Sequence, residues 1–369
     1  MGAVLKIDLI AAARPNFMKV APVYHALRRQ MRCDLRLVHS GQHYDANMSQ
    51  TFFQDLALPD PDINLGVGSG THAEQTGRTL MAYERLCIDR RPDWTIVVGD
   101  VNATLACALA ATKMGIRVGH VESGLRSRDR SMPEEVNRVL TDAVADLLWT
   151  PSSDANENLR SEGIPEARID FVGNVMIDTF EFMRPRIEAA STRADQGLVF
   201  GSYAVVTLHR PSNVDDPARL ATLVNTLGRI SADLPIVFPV HPRTRARLEG
   251  AGLLSRLRAC AGIRLLEPQG YVSFMNLLTG AAIAITDSGG MQEETTYLSI
   301  PCLTIRDTTE RPVTLTQGTN QLVRAEQLLD AVHAASFAAD ESWRAAQKRP
   351  PLWDGHAAER IVESLKRHT

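Results

Sequence analysis

Residues 281–312 read AAIAITDSGGMQEETTYLSIPCLTIRDTTERP. The apolar, β-branched run 282–286 predicts a short strand, and it stops at Asp287-Ser288-Gly289-Gly290. A helix-compatible run, 291–298, follows, and then a second apolar strand, 301–305. Strand, glycine pair, helix, strand is the layout in which free backbone N–H groups at a helix start face an anion. Glycines let the backbone approach without a Cβ in the way, and Ser288 adds a hydroxyl donor. Glu294 lies about one turn into the helix, within reach of the two hydroxyls of a ribose. An ordinary capped turn would also use Ser-Gly-Gly. The acidic pair Glu293-Glu294 behind it and the charged segment 306–311 favour a cradle for a nucleotide diphosphate.

The same alternation of short apolar strands and helix-length segments extends outward over almost the whole chain, which predicts parallel sheets with crossover helices. In the first half, strands are expected at 5–12, 35–40, 94–98, 117–121, 147–150 and 170–172. In the second, they are expected at 203–207, 235–240, 263–266, 282–286 and 301–305. Most end in polar or special residues, among them Gly99-Asp100, Glu122-Ser123-Gly124, His209-Arg210, His241-Pro242-Arg243 and Glu267-Pro268-Gln269-Gly270. Ligands of open α/β sheets bind at the carboxyl ends of strands, so that clustering is informative. The expected fold is α/β, two Rossmann-like domains facing a central cleft. The expected boundaries are 1–174 and 175–352, with a last helix in 353–369 packing back on the first domain. The segment 127–133 reads as a mobile loop.

A chain of 369 residues suits two domains of ordinary size. Its 44% hydrophobic and 22% charged content is that of a globular protein, and a net charge of −3 argues against a nucleic-acid partner. Cys33, Cys87, Cys107, Cys260 and Cys302 are scattered, without metal-ligand spacing, which fits a reducing compartment and buried thiols. The apolar start carries Lys6 and Asp8 and is expected to be a strand, not a signal peptide. Nothing approaches eighteen uncharged apolar residues, so no membrane span is expected. A cytoplasmic enzyme is the expectation.

Three carboxylates stand out in the first half: Asp100 and Glu122 at strand ends, and Glu134 at a helix start after Pro133. Each has an ordinary alternative, an N-cap for Asp100 and a common Pro-Glu-Glu helix opening for Glu134. Together at one rim they form a general acid–base set. Arg14 and Lys19 flank the start of the first long helix, where a phosphate also finds N–H groups. His209 and Arg210 form a donor pair at the end of the second domain's first strand. His241 and Arg243 either meet a ligand or cap the next helix, and His120 belongs in the sheet core.

With these residues assembled, the chain resembles the non-hydrolysing UDP-N-acetylglucosamine 2-epimerases nearly end to end. The resemblance rests on Gly41-Gln42-His43, Gly119-His120-Val121-Glu122, Gly124-Leu125-Arg126, Pro133-Glu134-Glu135 with Asn137-Arg138, and Thr286-Asp287-Ser288-Gly289-Gly290 with Gln292-Glu293-Glu294. Arg306-Asp307-Thr308-Thr309-Glu310-Arg311-Pro312 completes it. It implies the GT-B fold of nucleotide-sugar glycosyltransferases. The implied reaction interconverts UDP-GlcNAc and UDP-ManNAc through a glycal, with no metal or redox cofactor, in a homodimer. Ser288, Gly289 and Gly290 would then meet the diphosphate, Glu294 the ribose, and Gln269 and Tyr271 the uracil side. Arg14, Lys19 and His209 would complete the phosphate environment. Asp100, Glu122, Glu134 and His209 would be the catalytic set, and Gln42, His43, Arg210, His241 and Arg311 second-site or sugar contacts. The chain departs from the family at Asn16, Val101, Tyr44-Asp45 and Pro211-Ser212-Asn213. Those departures bear on the sugar's substituents and on activation by a second UDP-GlcNAc. A hydrolysing epimerase, an epimerase of a uronate or diacetamido sugar and a nucleotide-sugar-binding regulator are the alternatives.

Overall fold

The computed structural model describes residues 4–12, 14–41, 55–336 and 349–369. The chain divides into two compact units, Met1–Phe182 with Pro351–Thr369, and Met183–Pro350. The first division falls inside the helix Val175–Ala189, eight residues beyond the boundary set at the end of the last strand of the first half. The early turns of that helix belong to the first unit: Thr179 donates to the Met18 carbonyl, and Phe180 is buried.

The first unit holds strands β1 (Leu5–Ala11), β2 (Cys33–His39), β3 (Ile63–Asn64), β4 (Trp94–Val98), β5 (Arg117–Val121), β6 (Leu147–Thr150) and β7 (Ile169–Phe171). They form one parallel sheet in the order β3-β2-β1-β4-β5-β6-β7. The second unit holds β8 (Ala204–Thr207), β9 (Ile236–Pro239), β10 (Ile263–Leu266), β11 (Ile283–Thr286), β12 (Cys302–Ile305) and β13 (Asn320–Val323), ordered β10-β9-β8-β11-β12-β13 and also parallel. Strands such as Trp94–Val98 and Ile283–Thr286 are buried along their whole length, as expected when helices cover both faces of a parallel sheet. Each unit is therefore Rossmann-like, and each winding reverses between two central neighbours, β1 and β4 or β8 and β11.

Two strands were not expected, and both lie at sheet edges. β3 is only two residues long, and β13 reads Asn-Gln-Leu-Val, without the apolar run that marks a central strand. Two helices begin earlier than their apolar periodicity suggests, Arg14–Gln30 and Gly289–Leu298. A proline and a glycine are both tolerated in a first turn, where the N–H groups lack intrahelical partners. Segment 127–132 is tied down: Glu135 accepts from Ser127 N, Ser127 Oγ and Arg128 N, each at 2.9 Å.

The core of unit 1 contains a charged cluster. Asp8 on β1, fully buried, takes two bonds from Arg36 at 2.9 and 2.6 Å, one from Tyr83 at 3.0 Å and one from Arg90 at 3.2 Å. A buried carboxylate is tolerated only with such partners. The last helix, Ala357–Arg367, packs on Arg14–Gln30. Its first N–H groups, Ala357 and Ala358, donate to Asp178 at 3.0 and 2.6 Å. Trp149 Nε1 donates to Ser364 Oγ at 2.8 Å, and Trp353 Nε1 to the Pro151 carbonyl at 2.8 Å. No helix among the described residues is long and apolar enough to cross a membrane.

Gly173, just past β7, has φ +93°, and a Cβ there would sit 2.1 Å from the Leu352 carbonyl oxygen. Both the backbone conformation and the close approach demand glycine. Gly173→Ala should lower unfolding free energy by about 2–5 kcal/mol, the sum of left-handed strain and overlap. Chemical denaturation checks this, and an unchanged midpoint would contradict it.

Candidate active site

In unit 1 the reversal point lies beyond the ends of β1 and β4. Asn16 bridges it: its Oδ1 accepts from Ala12 N at 2.9 Å and its Nδ2 donates to the Val98 carbonyl at 2.7 Å. Gly99 and Asp100 follow β4, and Glu122 follows β5. Glu122 has φ +68°, a left-handed conformation that costs a non-glycine residue about 1–2 kcal/mol. Its N–H and that of Ser123 share the Trp149 carbonyl at 3.1 and 3.2 Å, which holds the turn. Such strain at a strand end is a mark of a functional position. The Glu122 carboxylate forms an ion pair with Lys19, their side chains 5% and 16% exposed.

Asp100 is paired with Arg138, which also bonds Glu135 at 2.7 Å. Asn137 Nδ2 donates to the Asp100 carbonyl at 2.9 Å. Burial would push the Glu135 carboxyl up. The Ser127 and Arg128 N–H groups, the Ser127 hydroxyl and the Arg138 charge outweigh it and hold Glu135 below the usual range. Glu134, its neighbour at the helix start, is exposed and makes no hydrogen bond or ion pair among the described residues. Thus unit 1 gathers Glu122 with Lys19 and Asp100 with an arginine it shares with Glu135, beside Glu134, which faces solvent.

In unit 2 the reversal point lies beyond β8 and β11, and it holds His209-Arg210 and Asp287–Gly290. Asp287 is the hub. Fully buried, it accepts from His209 N at 3.1 Å, Arg210 N at 3.0 Å, Asn213 Nδ2 at 3.1 Å and His209 Nδ1 at 2.9 Å. Burial works against its charge, but these donors prevail and lower its carboxyl. With Nδ1 committed to Asp287, Nε2 is the remaining polar atom of the His209 ring. The His241 ring lies 5.7 Å away and caps the helix Pro242–Gly250, accepting from Arg243 N at 3.2 Å. Arg243 itself is bound to Asp215.

Ser288 starts the helix Gly289–Leu298 without capping it through its side chain. A Cβ on Gly289 would come within 2.8 Å of Glu310 Oε1 and 2.9 Å of Arg311 Nη1, whereas one on Gly290 would meet nothing within 4 Å. The helix N-terminus therefore has an open approach over Gly290, with a wall of charge behind Gly289. That wall contains Arg311, bonded to Glu293 at 2.9 Å and to Glu310, and Arg306, bonded to Glu310 at 2.9 Å. Arg210 stands near both arginines; burial first, and then the Arg306 charge, depress its basicity. An anion at the helix start would relieve that crowding of positive charge.

Glu294, one turn further in, is 6% exposed. Burial pushes its carboxyl up to about 8, and the Glu293 charge adds to the rise, while the nearby Tyr271 opposes it. The Tyr271 hydroxyl is buried without a hydrogen bond of good geometry. A carboxyl in that state gains from hydroxyl donors such as those of a ribose. Gln269 donates to the Glu267 carbonyl at 2.8 Å, close in sequence to Tyr271.

Gln42 and His43 lie outside the described residues, as does the side chain of Arg14. Sequence reasoning missed Arg138 as partner of Asp100, and Asp287 as partner of His209. Helical spacing links Arg138 to Glu135 on the same helix but carries no signal for Asp100, 38 residues away. Among the described residues no group of three His, Cys, Asp or Glu side chains is arranged to hold a metal ion.

The profile of the UDP-N-acetylglucosamine 2-epimerase family matches residues 25–366. The UDP-N-acetylglucosamine 2-epimerase of Methanocaldococcus jannaschii is 41% identical over 368 residues, 98% of this chain and 99% of that one. The UDP-2,3-diacetamido-2,3-dideoxy-D-glucuronate 2-epimerase of Pseudomonas aeruginosa is 41% identical over 324 residues, 87% and 89% of the two chains. The crystal structure of the M. jannaschii UDP-GlcNAc 2-epimerase in complex with UDP-GlcNAc and UDP superposes with a TM-score of 0.88, covering 98% of this chain and 100% of that one. Sequence, fold and the residues gathered at both reversal points agree: the chain belongs to the UDP-N-acetylglucosamine 2-epimerase family.

Proposed function

We propose that the chain is a non-hydrolysing UDP-N-acetylglucosamine 2-epimerase that interconverts UDP-GlcNAc and UDP-ManNAc. The observation that carries the proposal is the reversal point of unit 2, where an open helix N-terminus, an arginine cluster and a buried carboxyl match a diphosphate followed by a ribose. Full-length similarity to an enzyme crystallised with UDP-GlcNAc and UDP supports the same assignment. The nucleotide is assigned to Ser288, Gly289, Gly290, Glu294 and the Gln269–Tyr271 backbone, with His209 beside the phosphates. Proton transfer at the sugar C2 is assigned to Asp100, Glu122 and Glu134.

The C2 proton of an acetamido sugar is weakly acidic, so its removal needs a positioned base and a stabilised leaving group. Loss of that proton with anti elimination of UDP gives a glycal. Reprotonation on the other face and re-addition of UDP give the epimer. Each positioned acid or base lowers the barrier by roughly 3–5 kcal/mol. The free state of all five cysteines fits a cytoplasmic setting.

A second reading has its own support. The P. aeruginosa relative acts, by its name, on a diacetamido glucuronate, and it has the same 41% identity to this chain as the UDP-GlcNAc enzyme, over 324 rather than 368 residues. Incubation with each UDP-sugar, followed by separation of products, decides between the two. Free ManNAc and UDP would instead indicate a hydrolysing enzyme. Binding of UDP-GlcNAc without turnover would indicate a regulator.

A homodimer is also proposed. Met81 and Ile88, 49% and 69% exposed, lie two helical turns apart on one face of the helix His72–Asp89. Val139 and Leu140, 38% and 46% exposed, lie on Pro133–Val144, and the helix Asn102–Lys113 packs against both of those helices. Light scattering should give twice the monomer mass, and the double variant Met81→Glu, Ile88→Glu should run as a monomer. A wild-type monomer at micromolar concentration would refute the assembly.

Product formed in deuterated water should carry deuterium at C2. Asp100→Asn, Glu122→Gln and Glu134→Gln should each keep UDP affinity and lose on the order of a hundred-fold or more in turnover. Turnover that leaves C2 fully protonated would rule out proton abstraction.

Glu294→Gln should weaken UDP binding by roughly 0.5–1.5 kcal/mol, measured by calorimetry. Without nucleotide it should have the opposite effect on stability. The folded wild type holds the Glu294 proton up to pH about 8, far above an unfolded glutamate. Its stabilising contribution is complete at low pH and is lost as pH rises toward 8, by roughly 5 kcal/mol in the limit. The glutamine variant lacks that loss, so it should match the wild type near pH 5 and exceed it at pH 9. Parallel stability curves across that range would contradict the buried-acid assignment.

A further inference from the structure

His120 takes no part in the chemistry just proposed, yet it lies on or bonds to the three segments that carry Asp100, Glu122 and Glu134. It lies on β5, fully buried. Its Nε2 is 2.8 Å from the carbonyl oxygen of Gly99, the residue directly before Asp100. Its Nδ1 is 2.7 Å from Asp142 Oδ1, on the helix Pro133–Val144 that begins with Glu134. The other Asp142 oxygen accepts from Gly124 N at 3.0 Å, two residues beyond Glu122, and from Arg126 at 2.7 Å. Gly99 is also the floor under the Glu122–Lys19 pair: a Cβ there would lie 3.4 Å from Glu122 Oε2 and 3.7 Å from Lys19 Nζ.

Both ring nitrogens face oxygen acceptors. A neutral imidazole has one N–H and would set a lone pair against one of those oxygens; an imidazolium donates to both. Asp142 and Arg126 are each 1% exposed at the side chain, and Arg126 is also bound by Glu162 at 2.8 and 2.6 Å, so the Asp142 end of the contact is itself held in place.

We propose that His120 is a positioning residue for the epimerisation assigned above, a doubly donating strut that fixes Asp100 and Glu122 relative to one another and to the Glu134 helix. The inference rests on that assignment for its kinetic consequence, but not for the protonation state of the ring.

Two substitutions separate the ends of the strut. His120→Asn places its amide near the Nδ1 position and keeps the bond to Asp142, while leaving the Gly99 carbonyl unpaired. His120→Gln places its amide near Nε2 and keeps the Gly99 bond. His120→Asn should lose roughly 10–100-fold in kcat, because small displacements of reacting groups are expensive, with KM and UDP affinity changed less than about twofold. His120→Gln should keep the larger share of turnover even if the two variants melt at the same temperature. Equal losses that follow melting temperature, or a folded His120→Asn with wild-type kcat, would overturn the strut. Nitrogen-15 spectra of the histidine rings, with His120 identified by its loss in the variants, should show both of its nitrogens carrying protons. A neutral ring would overturn the proposal whatever the kinetics. Wild-type protein inert toward UDP-sugars would overturn the proposed function, and the spectra would still decide the strut.

Discussion

The reversal of winding within each sheet is the constraint from which the rest follows. Where crossovers leave neighbouring parallel strands in opposite directions, the backbone groups at their carboxyl ends are left uncovered. In unit 1 those ends present Asn16, Gly99 and Asp100; in unit 2 they present His209, Asp287 and the Gly289-Gly290 helix start. The fold thus offers polar backbone at two places, and the side chains there convert an opening into a site.

Electrostatics divides the two places by sign. Unit 1 collects carboxylates, with Lys19 countering Glu122 and Arg138 shared between Asp100 and Glu135. Two unit charges 4 Å apart interact by about 4 kcal/mol at the effective dielectric typical near a protein surface, so uncompensated carboxylates would push one another apart. Unit 2 collects arginines around a helix N-terminus, with Glu293 and Glu310 holding Arg306 and Arg311 in place. Arg210 is left among cations, depressed in basicity, as suits a site for an anion.

Most of this architecture was legible because parallel strands covered on both faces are written as unbroken apolar runs. Trp94–Val98, Arg117–Val121, Leu147–Thr150 and Ile263–Leu266 were expected at their observed bounds. The edge strands β3 and β13 escaped because an edge needs no such run. Site residues at strand ends were legible for a related reason: a polar residue that interrupts an apolar strand has a position before it has a partner. Partners were not legible. Asp100 meets Arg138 across 38 residues, and His120 meets Asp142 across 22; both depend on how the helix Pro133–Val144 is rolled on the sheet. The same roll turns Glu135 inward and Glu134 outward, a distinction that Pro-Glu-Glu cannot carry.

The connectivity of the units has a consequence for synthesis. Residues 351–369 complete the first unit, where Asp178 caps their helix and Trp149 and Arg29 anchor it. The second unit, residues 183–350, is therefore inserted in the sequence of the first. On a ribosome adding 5–20 residues per second, those residues take roughly 10–30 s to emerge. Throughout that interval the helix Arg14–Gln30 lacks the cover it has in the finished protein, and the apolar face made of Ala357, Ile361, Val362 and Leu365 does not yet exist. The unit begun first is the last to close, so a nascent chain exposes the underside of its oldest helix to chaperones or to aggregation until its final turns are made.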